Sequence, residues 1–348
     1  MAEFHKVHIQ EIKQETADAV SVVFKIPEHL KADFSFESGQ YITLQTTIND
    51  ENVRRAYSIC STPQSGEIRV AIKKVEQGVF STHATTHLKV GDAIEAAAPE
   101  GRFLLTPEVE NNYIGFAAGS GITPILSLLK TVLETETTAS FTLIYGNKSV
   151  ADTIFFEELN SLKETYADRF KLHYIYSREN VKNSLRGRID GNVTNYFVKN
   201  MYKETSFNAA YLCGPEEMIK DVSKTLEKNK IAKENIHFEL FTTSADKEKV
   251  AQVKEGTTEI TVLLDDEKTT FIMSQTDDIL AANLRNNIDA PYSCQGGVCS
   301  SCLCKVTEGK AVMVKNSILT DGEIEEGFVL ACQAYPTTPK ITIDFDDL

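Results

Sequence analysis

Residues 293–302 read SCQGGVCSSC, which puts thiols at Cys294, Cys299 and Cys302; a fourth, Cys332, follows after 29 intervening residues. Three thiolates on one loop and one from elsewhere is the ligand pattern of a binuclear [2Fe–2S] centre. Gly296 and Gly297 let such a loop bend tightly, so that its N–H groups can point at sulfur. Four cysteines can also hold structural zinc, but zinc sites usually show two close pairs rather than three clustered cysteines and a lone one. A further thiol, Cys304, stands two residues beyond Cys302 on a strand candidate and reads as a packed side chain.

Around this loop lies a small unit, residues 258–348. It has strand candidates EITVLL (259–264), TTFIMS (269–274) and KITIDF (340–345), and a helix around DDILAANLRNN (277–287). From Glu259 onward there are 15 acidic and 6 basic residues, against 35 and 30 in the rest. The tail is thus an acidic module on a nearly balanced body. Most of these charges read as solvated surface, and the sharper reading is a face that steers a basic partner. A net charge of −14 argues against nucleic acid as a partner. No apolar run approaches a membrane span, and MAEFHKVHIQ lacks an apolar signal region, so the expected location is the cytoplasm. Thiols stay reduced there, so the seven cysteines read as ligands or buried residues, not disulfides.

Upstream, TTSADKEKVAQVKEGT (242–257) is polar and aperiodic and reads as a linker. Before it, residues 109–241 alternate strands YIGFAA, SFTLIYG, KLHYIYS and NAAYLCG with helical stretches at 124–134, 153–166, 191–203 and 215–229, and close on IHFEL. Such alternation predicts a parallel sheet with helices on both faces. Gly119-Ser120-Gly121-Ile122-Thr123-Pro124 follows the first strand, a strand-to-helix turn that can offer N–H groups to a pyrophosphate. Ser177-Arg178 and Arg186-Gly187-Arg188 follow the third strand, and Cys213-Gly214-Pro215 ends the fourth. An arginine at a strand end can grip a ribose 2′-phosphate; Arg186 alone reads as solvated surface. Cys213 has no His–Asp partnership nearby and is not read as a nucleophile.

Residues 1–108 carry short alternating strands separated by turn residues such as Pro27, Gly39, Gly66 and Gly91, the pattern of an antiparallel barrel. On one strand stands Arg55-Ala56-Tyr57-Ser58, and Gly78-Val79-Phe80-Ser81 follows some twenty residues later. Arg55 can supply charge to a pyrophosphate, Tyr57 an aromatic face to a flat ring, and the Gly78 turn with the Ser81 hydroxyl further phosphate contacts.

Taken together, the R-x-Y-S strand, the G-x-x-S turn, GSGITP, the S-R pair and CGP resemble, in order and spacing, the ferredoxin–NADP reductase superfamily. APYSCQGGVCSSC and VLACQA resemble the plant-type ferredoxins. The resemblance implies three domains: an antiparallel FAD-binding barrel, an α/β nicotinamide domain and an α+β, β-grasp-like ferredoxin domain. It implies FAD contacts at Arg55, Tyr57, Ser58, Ala71, Ile72, Lys73, Gly78, Val79, Phe80 and Ser81, with FMN the alternative used by some ferredoxin-linked reductases. It implies nicotinamide contacts at Gly119, Gly121, Thr123, Ser177, Arg178, Arg188, Cys213, Gly214 and Pro215, with Lys148 a weaker phosphate contact, and metal ligands at Cys294, Cys299, Cys302 and Cys332. Ser58 and Cys213 stand where the reaction would occur. The arginines favour NADPH over NADH, and Phe241 is either a cover for the flavin or core.

Reductase first and ferredoxin last is the order of the reductase components of multicomponent oxygenases. The DGEIEEGFVLACQA stretch (321–334) and the DFD near the end resemble the phenylacetyl-CoA epoxidase reductases among them. The implied function is transfer from NADPH through FAD and [2Fe–2S] to an oxygenase docking near the ferredoxin domain. Similar chains serve steroid hydroxylases or hybrid-cluster proteins, and a redox sensor that holds its cofactors without turnover is the non-enzymatic alternative.

Overall fold

The computed structural model describes residues 3–135 and 138–347. Two compact units are present, Phe4–Glu239 and a second beginning at Leu240.

In the first unit, strands β1 (Phe4–Thr16), β2 (Ala19–Lys25), β3 (Tyr41–Ile48), β4 (Glu51–Ser58) and β5 (Ile68–Lys73), helix α1 (Val79–Thr86) and strand β6 (Ala93–Ala97) come first. The strands pair antiparallel in the order β4-β3-β6-β1-β2-β5, and an Ile59–Val70 bridge joins the two outer strands and closes the barrel. Burial of Val7, Val22, Ile42, Leu44 and Val70 fills its interior, each large side chain contributing about 1.5–3 kcal/mol.

The chain then alternates β7 (Asn112–Ala118), α2 (Ile122–Glu134), β8 (Ser140–Asn147), α3 (Phe156–Thr165), β9 (Phe170–Tyr176), β10 (Leu185–Arg186), α4 (Gly191–Asn195), β11 (Ala209–Cys213), α5 (Glu216–Lys228) and β12 (Ile236–Glu239). The strands form a parallel sheet in the order β10-β9-β8-β7-β11-β12. The order reverses between β7 and β11, which opens a crevice at their C-terminal ends. The helix expected over 191–203 is α only to Asn195 and continues as a π turn over Tyr196–Met201.

Barrel and parallel sheet share one core, in which Ala19, Cys60 and Ala71 of the barrel meet Ile125, Leu128 and Leu129 of α2. A partly buried ionic knot lies at the same seam. Arg69 Nη2 donates to both carboxylate oxygens of Glu158 at 2.9 Å, and Lys130 Nζ reaches Glu158 Oε1 at 3.2 Å. The Arg69 guanidinium also lies over the Phe155 ring, 5.0 Å from its centroid.

The second unit holds α6 (Lys247–Val250), β13 (Thr257–Leu264), β14 (Glu267–Ser274), α7 (Ile279–Arg285), β15 (Leu303–Glu308), β16 (Ala311–Met313), α8 (Asp321–Glu325), β17 (Phe328–Leu330), β18 (Ala334–Pro336) and β19 (Lys340–Asp344). Its five-stranded mixed sheet runs β14-β13-β19-β15-β17, and β16 pairs with β18. The 242–257 stretch is not featureless. Asp246 caps α6 with its side chain, and its N–H donates to the Val314 carbonyl at 2.8 Å. The polar composition of this stretch conceals a cap whose partner is distant in sequence.

Removing the Glu158 carboxylate takes its bidentate partner from Arg69 and leaves Lys130 with Glu134 alone, at 3.8 Å. Glu158→Ala should therefore lower stability by about 2 kcal/mol, discounted from a fully buried pair because Glu158 keeps about a fifth of its side-chain exposure. An unchanged denaturation midpoint would remove the knot from any account of what joins barrel to sheet.

Candidate active site and cluster loop

Strand β4 alternates its side chains. Arg54 turns inward, over the Phe4 ring and onto Gln45 Oε1, and serves the barrel. Arg55 and Tyr57 face the other way, with Arg55 Nη1 on the Arg54 carbonyl at 2.6 Å. Tyr57 packs on Phe80 at a centroid distance of 5.5 Å, and burial raises its phenol pKa, opposed by Arg55. Phe80 is a core side chain and Val79 is exposed, so at those positions the Phe80 backbone and the Val79 surface remain for a ligand. A methyl group on Gly78 would fall 2.3 Å from Ser81 Oγ, and that hydroxyl accepts the Val75 N–H, so the turn is tightly stapled. Ala71 and Ile72 are buried on β5.

Lys73 ends β5 and enters a second place. It lines a cavity of about 600 Å³ with Gly119, Lys148, Ser177, Arg178 and Arg188 at the C-terminal ends of the parallel strands. Its ammonium pKa is lowered by burial and by the nearby Lys148. Among the described residues Lys148, Arg178 and Arg188 carry no side-chain ion pair, while Asp190 and Asp221 are engaged by the N–H groups of Val193 and Gly191. The lining carries four cations, Lys73, Lys148, Arg178 and Arg188, and four carboxylates, Asp152, Asp190, Glu217 and Asp221, and the guanidinium groups of Arg178 and Arg188, without an ion pair, suit phosphate. Pro215 also lines it, whereas Gly121, Thr123, Cys213 and Gly214 are not among its lining residues. A methyl on Gly121 would lie 2.1 Å from the Cys213 carbonyl oxygen, and Thr123 Oγ1 donates to the Ser120 carbonyl at 3.0 Å.

Beside this crevice the sequence reading missed one residue. Glu239 ends β12 in register with Cys213 on β11, and Ser58 Oγ donates to Glu239 Oε2 at 2.8 Å. Burial pushes the carboxyl up to about 7, with the Ser58 hydrogen bond opposing. Burial and then Glu239 push the Cys213 thiol well up, so it stays protonated and is no nucleophile. The available signal was a lone acid inside the apolar run IHFELF at the end of a parallel strand.

In the second unit the four cysteines converge. Cys294 accepts from the thiols of Cys299 and Cys332, which lowers it against its burial and raises its two partners. Cys302 also reaches Cys332. The Gly296 N–H points at Cys294 Sγ at 3.3 Å. What the structure displays is pairwise convergence of sulfurs. Among the described residues no three donor groups enclose a single-ion site. Pairwise thiols with N–H groups aimed at sulfur fit a binuclear cluster. Cys304 is fully buried on β15, and burial raises its thiol, as for a packing residue.

Three family models match: an oxidoreductase FAD-binding domain over residues 6–104, an oxidoreductase NAD-binding domain over 116–224 and a 2Fe-2S iron–sulfur cluster binding domain over 262–337. The chain is 37% identical to a subunit of 1,2-phenylacetyl-CoA epoxidase from Escherichia coli, over 99% of both chains. It belongs to the family of flavin and iron–sulfur oxygenase reductases. Another relative is the ferredoxin reductase component of 3-ketosteroid-9-alpha-monooxygenase from Rhodococcus rhodochrous, 31% identical over 97% of this chain and 95% of that one. In fold it is similar to phthalate dioxygenase reductase, described as a modular structure for electron transfer from pyridine nucleotides to [2Fe–2S]; the TM-score is 0.66 at 23% identity, over 98% of each chain.

Like its relatives, this reductase uses FAD, a pyridine nucleotide and a [2Fe–2S] cluster. The expected fold classes are borne out for all three parts, barrel, parallel sheet and ferredoxin domain. Among the described residues no helix is long and apolar enough to cross a membrane.

Because the folded protein favours protonated Glu239, its contribution is intact below the ordinary value of 4.5 and is lost as pH rises through about 7. Glu239→Gln, neutral at every pH, should gain stability over the wild type across that window, levelling at no more than about 3 kcal/mol above it. Denaturation at pH 5, 6, 7 and 8 measures this, and a pH-independent difference would contradict the assignment.

Proposed function

We propose that this chain is the NADPH-dependent reductase of a multicomponent oxygenase of the phenylacetyl-CoA epoxidase kind, acting in the cytoplasm. The observation that carries the NADPH reading is the pair Arg178 and Arg188, which lines the nucleotide cavity with no carboxylate partner among the described residues. The relatives include an NADH oxidoreductase HCR of Escherichia coli, 27% identical over 95% of each chain, so family membership alone does not fix the nucleotide.

When bound, the flavin accepts hydride from the nicotinamide and releases electrons singly to the cluster, which carries one at a time. The protein's part is binding, orientation and proton control. Arg55, Tyr57 and the Gly78–Ser81 turn hold the flavin, and Cys294, Cys299, Cys302 and Cys332 hold the cluster. Lys73, Lys148, Arg178 and Arg188 bind the nucleotide phosphates. Cys213, kept as a neutral thiol, offers a small uncharged surface beside the nicotinamide. Ser58 Oγ and Glu239 form a two-member proton path, since a carboxyl titrating near 7 can hold or release a proton at working pH. No catalytic triad takes part.

Anaerobic titration of the purified protein with NADPH and with NADH, followed by visible and paramagnetic resonance spectra, tests the reading. Flavin and cluster should both be reduced, with NADPH the better donor. Arg178→Ala or Arg188→Ala, each made singly, should raise KM for NADPH about ten- to a hundredfold, since one charge-assisted bond contributes about 1.5–3 kcal/mol, and leave NADH little changed. Equal losses with both nucleotides would turn the assignment to NADH.

The partner is proposed to dock at α8, where Asp321, Glu325 and Glu326 are exposed. Glu323 is excluded because its carboxylate receives the Thr320 N–H at 2.8 Å in a capping box. Reversing the three exposed acids to lysine should slow reduction of the oxygenase component most at low salt, while flavin reduction by NADPH is unaffected. A rate insensitive to salt and to the reversal would move the docking face elsewhere.

A further inference from the structure

The loop between Cys294 and Cys299 is fixed from outside by two side chains. Gln333 follows the fourth cysteine and is 7% exposed. Its Nε2 donates to the Gln295 carbonyl at 3.1 Å. Gln295 has φ +51°, a left-handed conformation that is costly for a non-glycine residue and persists only where neighbours enforce it. One link further on, the Gly297 carbonyl accepts both the N–H and the hydroxyl of Ser317, each at 3.1 Å.

A peptide unit is planar and trans, so its C=O and N–H point in opposite directions. The carbonyl held by Gln333 and the N–H of Gly296 are two ends of one such unit, and that N–H is aimed at Cys294 Sγ at 3.3 Å. The carbonyl held by Ser317 shares its unit with the Val298 N–H, which also donates to Cys294. Both outer bonds thus aim both inner donors. Each outer bond lies on the side of the peptide away from the sulfur. Behind the loop there is no slack: a methyl on Gly297 would meet the Lys315 carbonyl oxygen at 2.9 Å and Gln333 Cγ at 3.1 Å.

We propose that Gln333, seconded by Ser317, is a positioning residue that sets the reduction potential of the cluster by orienting the Gln295–Gly296 and Gly297–Val298 peptides toward the Cys294 sulfur. N–H donation to a ligand sulfur stabilises the more negative, reduced cluster and raises its potential. Loss of the outer bond lets the peptide turn and lowers it. The inference rests on the [2Fe–2S] reading of the loop, and the wild-type spectrum tests that reading separately.

The experiment is a mediated redox titration of the holoprotein, with paramagnetic resonance of the reduced cluster. Wild type is compared with Gln333→Met, which keeps the size and removes the donor, and with Ser317→Ala, which leaves the Ser317 backbone bond in place. At the wild-type midpoint, the reduced-to-oxidised ratio of the Met variant should fall threefold or more, roughly 30 mV for one electron. Its resonance signal should shift, and Ser317→Ala should move both readouts the same way by less. Midpoint and signal identical to wild type would overturn the proposal, as would a lowered melting temperature with an unmoved midpoint, the mark of a merely structural role. If the Met variant assembles no cluster, Ser317→Ala decides by the same criterion. A wild-type protein without a [2Fe–2S] signal would instead fail the cluster reading itself.

Discussion

A methyl group on Gly121 would come within 2.1 Å of the Cys213 carbonyl oxygen and 3.0 Å of the Gly214 nitrogen. Two strand-to-helix turns therefore touch backbone to backbone, which only a residue without Cβ permits. They are the turns after β7 and β11, the neighbours between which the strand order reverses. Gly214 meets the same limit from the other side, with Met218 Cε at 2.6 Å from its would-be methyl.

From that contact the rest of the first unit follows by register. Cys213 ends β11 level with Glu239 on β12, and Glu239 is reached by Ser58 from the end of β4. One hydroxyl, one thiol and one carboxyl from three strand ends are thus gathered together, while Lys73, Lys148, Arg178 and Arg188 line the cavity. The seam bearing Arg69, Lys130 and Glu158 keeps barrel and sheet in this register, because Ser58 belongs to the barrel and Glu239 to the sheet.

Much of this was legible in the sequence. Strand–helix alternation, short alternating strands and the cysteine spacing each carry a period or an interval, and periods survive without knowledge of the fold. Glu239 was not legible because its meaning comes from Ser58, 181 positions earlier, and from a carboxyl pushed up by burial. Lys73, which the family resemblance groups with Ala71 and Ile72, also lines the cavity at the C-terminal ends of the parallel strands, a placement that spacing alone does not give. Residues 242–257 read as linker by composition, while the Asp246–Val314 bond ties their middle to the second unit. In each case a partner distant in sequence decides what a local pattern leaves open.

The acidic surplus of the C-terminal unit is a further case, since net charge says nothing of how many carboxylates are already occupied. Asp346 accepts the N–H groups of Asp265 and Asp266, and Asp344 accepts those of Asp346 and Asp347. Asp278 caps α7, and Glu323 closes the capping box of α8. Glu259, Asp277 and Asp347 are paired with Lys340, Arg285 and Lys305. Exposed pairs of this kind contribute about 0–1 kcal/mol each to stability, but they neutralise field at short range. The carboxylates at Asp321, Glu325 and Glu326 stand together around α8, which the chain leaves just before β17 and Cys332. A surplus that looks diffuse in composition is therefore uneven in effect, with much of it bound into turns, caps and pairs.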